Sequence, residues 1–159
     1  MEEKILKLKK IPRRIEAYDI SNIQGVSATG SMIVFTDGLP DKKEYRRFAI
    51  RTVKGINDPA MIGEIVKRRL QHADWATPDL ILIDGGPAQL NAAQRHSKKI
   101  PIISLAKREE EIYLADKSKP LRLSKRSSTL QLLQRIRDEA HRFAIAYHRK
   151  LREKDLLNH

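Results

Sequence analysis

The pattern of apolar residues predicts an α/β fold in which helices flank a mixed sheet, and three observations carry that reading. The first third of the chain holds three short, largely apolar segments separated by polar turns, the pattern of an antiparallel meander. Two continuous apolar runs, residues 80–83 and 100–105, enclose a helical stretch, as parallel strands buried on both faces do. The last third carries one apolar stripe at helical spacing. Together these describe a mixed five-stranded sheet, three antiparallel strands and then two parallel ones, with an extra hairpin and a long C-terminal helix.

Each element has a local reason. Arg14-Ile15-Glu16-Ala17-Tyr18-Asp19-Ile20 alternates and stops in the polar turn Ser21-Asn22-Ile23-Gln24-Gly25, so it reads as a strand that carries Asp19 to its C-terminal end. Residues 31–36 read as the second strand, Asp37-Gly38-Leu39-Pro40 as a turn and residues 44–50 as the third strand. Asn57-Asp58-Pro59 suits a helix start, and Met61, Ile62, Ile65, Val66 and Leu70 continue with the helical period. The plainest strand, residues 79–84, is ended at once by Gly85-Gly86-Pro87; a helix over residues 88–95 and a second buried strand over residues 100–105 follow. Glu111-Ile112-Tyr113-Leu114 and Pro120-Leu121-Arg122-Leu123 read as a hairpin around Asp116-Lys117-Ser118. The closing helix covers residues 128–154, with Leu133, Ile136, Ala140, Phe143 and Tyr147 on its buried side. No repeat, low-complexity stretch or linker divides the chain, which reads as a single domain over residues 1–159.

Composition narrows the function. The chain has 159 residues with 32 Lys plus Arg against 20 Asp plus Glu, a formal net charge of +12. The excess is uneven: +5 over residues 1–54, +1 over residues 55–121 and +6 over residues 122–159. Such a charge on a small body suits a polyanion, and nucleic acid is the commonest one. With no cysteine, a disulfide framework, a thiolate nucleophile and any Cys-based metal site are excluded. No apolar run approaches the roughly 20 residues of a membrane span, so a soluble, cytoplasmic protein with no membrane partner is expected.

Two aspartates have the placement of a site. Asp19 and Asp84 both end strands, and in open α/β sheets ligands bind beyond the carboxyl ends of the strands. Either alone is an ordinary turn-initiating residue. Side by side they repel unless a cation or proton intervenes, and paired carboxylates with open positions are what Mg²⁺ or Mn²⁺ needs for phosphoryl chemistry. His72, His96 and His159 read as surface residues, while His141 and His148 lie on the closing helix. His141 is one residue from the apolar stripe; it either bonds Asp138 one turn away or reaches over the sheet edge toward the carboxylates. On the same helix Arg135, Arg142 and Arg149 recur every seven residues, with Lys125 and Arg126 before the helix and Lys150 and Arg152 near its end. Glu139 is the one acid placed to serve Arg135, so the line reads as phosphate-binding. Aromatics are only 5% of the chain, which favours backbone and duplex-shape contacts over base stacking.

Four motifs resemble one known family. Tyr18-Asp19-Ile20-Ser21-Asn22-Ile23-Gln24-Gly25, Glu44-Tyr45-Arg46-Arg47-Phe48, Asp79-Leu80-Ile81-Leu82-Ile83-Asp84-Gly85-Gly86 and Gln131-Leu132-Leu133-Gln134-Arg135-Ile136-Arg137-Asp138-Glu139-Ala140-His141-Arg142-Phe143-Ala144 are similar, in order, to the C-terminal nuclease domain of UvrC, the incision subunit of bacterial nucleotide excision repair. The resemblance runs from about residue 12 to residue 154. It implies an RNase H-like fold and a catalytic and metal-binding set that falls on Asp19, Asp84 and His141. Asp58 matches a further acidic position of the family, where a helix-capping role is equally open.

The implied reaction is hydrolysis of one phosphodiester on the 5′ side of a lesion in duplex DNA, with Mg²⁺ or Mn²⁺ held by Asp19 and Asp84 and with His141 as third ligand or as the group that orients the water. A catalytically silent DNA-binding module on the same fold is the alternative. The resemblance also implies UvrB as a partner through a segment outside this chain, and further nuclease and helix-hairpin-helix parts elsewhere in a longer protein. On this reading the chain is a fragment of that protein, a monomeric unit whose DNA grip comes from Lys125, Arg126, Arg135, Arg142 and Arg149.

Overall fold

In the computed structural model, residues 6, 8–21, 28–51, 57–115 and 119–157 are described. Strand β1 (Arg14–Ser21) lies at the centre of a mixed sheet, antiparallel to β2 (Thr29–Thr36) and parallel to β5 (Leu80–Asp84). Beyond β5 come β6 (Ile102–Ala106), parallel, and β7 (Glu111–Leu114), antiparallel. The far side of β2 is covered by β3 (Leu39–Pro40) and β4 (Arg46–Ala49). Helices α1 (Asp58–Leu70) and α2 (Pro87–Gln94) pack on one face and α3 (Ser128–Leu157) on the other. The turn read at residues 22–25, the hairpin tip at residues 116–118, His159 and the side chains of His148 and Arg152 lie outside the described residues.

The sheet has seven strands among the described residues, against the five expected. The third strand of the meander is split along one edge: Leu39 and Pro40 pair with Thr36 and Phe35, and Arg46 to Ala49 pair with Met32 to Thr29. The ladder runs one residue beyond Pro40, through the Asp41 amide to the Val34 carbonyl at 2.8 Å, and a 3₁₀ turn at Lys42–Glu44 then carries the chain off the edge before it returns. The expected hairpin is not separate. Its first arm joins β6 as β7, because that edge is the place where Ile112 and Leu114 can both be buried. The second arm keeps one antiparallel bridge, Leu121 to Ile112.

Alternation along β1 divides the interior in two. Ile15 and Ala17 join Ile33, Leu82 and Leu105 against Leu133, Ile136 and Ala140 of α3. Tyr18 joins Met32, Ile81 and Ile83 against Ile62, Ile65 and Val66 of α1 and Leu90 of α2. Gly30 admits α1 to the sheet, since a Cβ there would stand 1.9 Å from the Ile65 side chain.

Glu16 points into the second interior, fully buried, where burial of a lone carboxylate would be prohibitive. Arg69 of α1 resolves it with two bonds of 2.8 Å, Nε to Oε1 and Nη2 to Oε2. The Tyr18 hydroxyl donates to Oε1 at 2.5 Å and Arg14 Nε to Oε2 at 3.0 Å, while Arg69 Nη2 also reaches the Ala76 carbonyl at 2.6 Å. This network ties α1 to the central strand.

A second tie sits where β1 and β5 begin. Asp79 Oδ2 accepts the amides of Arg13 and Arg14 at 3.0 and 2.9 Å, Oδ1 faces Lys10 Nζ at 3.1 Å, and the Asp79 amide donates to the Arg14 carbonyl at 2.8 Å. Partial burial alone would raise this carboxyl, but the two strand amides and Lys10 outweigh it and hold its pKa below the ordinary 3.8.

Two outcomes follow. Arg69→Met takes the bidentate partner from buried Glu16, leaving it to Arg14 and Tyr18, and should cost about 1–3 kcal/mol in urea unfolding, whereas Lys10→Met, which removes an exposed ion pair, should cost under about 1 kcal/mol. Asp79→Ala should cost about 1–3 kcal/mol near neutral pH. Because the folded-state pKa of Asp79 is depressed, its contribution is complete above the ordinary carboxylate value and fades as pH falls through the folded one. The gap between wild type and Asp79→Ala should therefore narrow below about pH 4 in melts across a pH series.

Candidate active site

The parallel register pairs Tyr18 with Ile83, so Asp84, the last residue of β5, stands beside Asp19, which lies two residues before the end of β1. Asp19 shares the strand parity of Ile15 and Ala17, and Asp84 that of Leu80 and Leu82, so both carboxylates lie on the α3 face. Beyond Asp84 the chain turns away immediately. Gly85 has φ +138°, where a Cβ would stand 2.8 Å from the Gln89 side chain, and the Gly86 amide donates to Gln89 Oε1 at 3.1 Å as Pro87 opens α2.

From α3, His141 completes the group. Its Nδ1 stands 3.3 Å from Asp19 Oδ2, and the ring is about half exposed. Asp138, the other partner offered by helix spacing, is exposed and accepts instead from Arg137 Nε and Nη2 at 3.3 Å. Asp19, Asp84, Leu105, Arg137 and Ala140 line one small pocket.

Burial raises the pKa of Asp19, the charge of Asp84 raises it further, and the His141 hydrogen bond opposes both. Burial also raises Asp84, against the positive charges of Lys107, Arg137 and His141, while Asp58 adds to the rise. Two partly buried, mutually repelling carboxylates are an oxygen donor set that suits a hard divalent cation. Among the described residues no group of three or more His, Asp or Glu is drawn together as a ligand cage. The fit is to the Asp19 and Asp84 pair, with His141 one hydrogen bond away.

Asp58 stands in the first turn of α1, exposed, with its charge reaching Asp84. It is not the cap. Asn57 fills that role, accepting the Ala60 amide at 3.1 Å.

The basic line corrects the sequence reading in part. Arg135, Arg142 and Arg149 are all exposed on α3, as are Lys150 and, ahead of the helix, Lys125 and Arg126. Glu139 does not serve Arg135. It binds Arg142 through Nε and Nη2 at 2.5 and 2.9 Å and accepts the Tyr45 hydroxyl at 2.7 Å, so Arg142 is already paired. At about 100° per residue, Arg135, Arg142 and Arg149 fall roughly opposite the buried stripe, whereas Arg137 and His141 fall at its border. Lys107 and Arg137, the lysine and arginine whose charges act on Asp84, were not singled out from the sequence. The available signal for Arg137 was its place four residues before His141, on the same helix face.

Comparison with known proteins bears on the family and the fold. The sequence profile of one family, described as the UvrC RNAse H endonuclease domain, matches residues 3–145. UvrABC system protein C of Dehalococcoides mccartyi is 51% identical over 156 residues, covering 90% of this chain and 26% of that protein. The Methanosarcina mazei protein of the same name is 50% identical over 159 residues, 96% of this chain and 30% of that protein. The chain thus spans between a quarter and a third of such relatives. Among solved structures, a Ciona intestinalis endonuclease V variant in complex with a 23mer DNA containing an inosine followed by a ribo-adenosine matches with a TM-score of 0.50 at 14% identity, over 66% of this chain and 54% of that one. At that identity the likeness speaks for the fold, an RNase H-like one with a mixed sheet.

The site geometry predicts a stability gain from its own disruption. In buffer with EDTA, Asp84→Asn should raise the melting temperature at about pH 7 by about a few degrees. The Asp84 pKa is raised in the folded state, so the wild-type penalty grows as pH rises through that value and vanishes below the unfolded one. The two proteins should converge below about pH 4 in the same melts.

Proposed function

Because the chain belongs to the UvrC RNase H endonuclease domain family, we propose that it is the domain that hydrolyses one DNA phosphodiester on the 5′ side of a lesion in nucleotide excision repair. The observation that carries this reading is the parallel register of β1 and β5, which sets Asp19 beside Asp84 on the face where His141 arrives from α3.

Asp19 and Asp84 would hold the divalent cation, Mg²⁺ or Mn²⁺. Bound there, such an ion lowers the pKa of an attacking water and offsets charge on the phosphate. The chain supplies the rest. The Asp19 carboxylate fixes the His141 ring through Nδ1, leaving the other ring nitrogen to orient a water or take its proton. Asp58, free of capping duty and exposed toward Asp84, supplies further negative charge at the rim. DNA backbone is gripped by Lys125, Arg126, Arg135 and Arg149, with Arg142 recruited if its bond to Glu139 opens. Damage recognition comes from the longer protein and its partner UvrB. The domain acts as a single cytoplasmic unit within that assembly.

Salt-sensitive DNA binding does not separate a nuclease from a silent binding module. Incision does. In the full-length protein assayed with its UvrA and UvrB partners on a damaged duplex, Asp84→Asn and His141→Ala should each lower 5′ incision by at least ~100-fold. The 3′ cut and DNA affinity should remain within about threefold, a loss of no more than about 0.7 kcal/mol in binding. A folded Asp84→Asn protein that still makes the 5′ cut at the wild-type rate would remove this pocket from the chemistry.

A further inference from the structure

Beside the two carboxylates stands a cation that the mechanism above leaves idle. Arg137 lines their pocket with its side chain only 14% exposed. Its Nη1 donates to Glu110 Oε2 at 2.6 Å, and Nε and Nη2 donate to Asp138 Oδ1 at 3.3 Å. A guanidinium has five N–H donors. Three are engaged in these bonds, which leaves one hydrogen on each terminal nitrogen, the pair that suits two oxygens of a phosphate.

The partner that fixes this orientation is held at a conformational cost. Glu110 belongs to the short turn between β6 and β7, where Glu109 has φ 60° and Glu110 φ 51°. Two successive residues with side chains in the left-handed region are strained, and the chain uses glycine at the corresponding exit from β5, at Gly85. Glycine at position 110 would relieve the strain and abolish the carboxylate that reaches Arg137. Glu109 gives no such return, since its own partner, Arg122, is on the surface.

We propose that Arg137 is a catalytic residue that grips the phosphate being cut through its two remaining N–H groups, and that Glu110 is a positioning residue whose strained turn holds that guanidinium at the Asp19 and Asp84 pocket. The proposal rests on the reading of this pocket as the nuclease site. It assigns Arg137 a task distinct from the exposed arginines of α3: contact with the reacting phosphate instead of the flanking backbone.

The test uses the full-length protein with UvrA, UvrB and a damaged duplex at saturating Mg²⁺. Arg137→Gln should lower kcat for the 5′ cut by ~100-fold with KM and DNA affinity nearly unchanged. Arg137→Lys, which keeps the charge and loses the fork, should stay at least ~10-fold down. Millimolar guanidinium should restore part of the activity of Arg137→Ala, while equimolar urea should not. Glu110→Gln should lower kcat by ~10-fold and leave DNA affinity alone. If Arg137→Gln folds poorly, the Lys variant and the guanidinium response carry the test. Wild-type kcat in Arg137→Lys or Arg137→Gln, or no guanidinium response above the urea control, would overturn the assignment. Asp84→Asn run in parallel separates the two readings: an inactive Asp84→Asn beside a fully active Arg137→Gln sinks only the role of Arg137, whereas an active Asp84→Asn sinks the pocket itself.

Discussion

Everything at the site depends on one strand register, that of β1 against β5. Side chains alternate along a strand, so a slip of one residue would send either aspartate to the opposite face, away from α3. The register is secured at the end remote from the site. Asp79 binds the amides at the start of β1 with its side chain and the Arg14 carbonyl with its own amide. Five residues further along each strand, Asp19 and Asp84 inherit the alignment. The Glu16 and Arg69 pair adds a second restraint, fixing α1 to β1 and with it the placement of Asp58 near Asp84. Apolar packing alone would tolerate small shifts; bidentate ion pairing does not.

That alignment concentrates negative charge where burial makes charge unfavourable, and the surroundings offset part of it. Lys107, Arg137 and His141 each lower the cost of ionised Asp84, and none is close-paired with it. A direct Arg137 to Asp84 salt bridge would satisfy both groups and close the space that a cation needs. Glu110 and Asp138 instead engage three of its five N–H groups, so the guanidinium lines the pocket and its field reaches the carboxylates with no direct bond to Asp84. The strained turn at Glu109 and Glu110 is intelligible on this basis, as the local cost of keeping a buried cation and two carboxylates near one another without collapse.

Much of this was legible in the sequence because it is written in short periods. The alternation of residues 14–20 and the apolar run of residues 80–83 placed both aspartates at strand ends, and the stripe of α3 placed His141 at its border. The choice between Asp138 and the carboxylates for His141 was not open to helix geometry, since it depends on where the packing of α3 on the sheet brings Asp19. Partner choice across elements is equally hidden. Glu16, a polar position of an alternating strand, is buried because β1 is covered on both faces and Arg69 comes from a helix more than fifty residues away. The split third strand and the hairpin arm absorbed as β7 follow from which sheet edge is free, a property of the assembled sheet.

Charge on α3 shows why a one-dimensional pattern gives an incomplete reading. The heptad of arginines is real, but seven residues is nearly two turns, so those three side chains share the helix face turned away from the sheet. Glu139, which sequence spacing offered to Arg135, is held by Tyr45 of the meander edge, and from there it pairs with Arg142. Arg47 of β4 meanwhile stacks over Phe143 and Tyr147 at 3.8 and 4.5 Å, adding a cation on the sheet side of the same helix. The positive field is therefore in two layers. An outer one, Arg135 and Arg149 with Lys125 and Arg126, is open to solvent and salt, and so suits long-range capture of a DNA backbone. An inner one, Arg137, lies beside the carboxylates, where a lower dielectric makes its charge count for more, and the exposed Lys107 adds its charge toward Asp84. On the proposed roles, capture and cutting would draw on different arginines of one helix, separated by their angle about its axis.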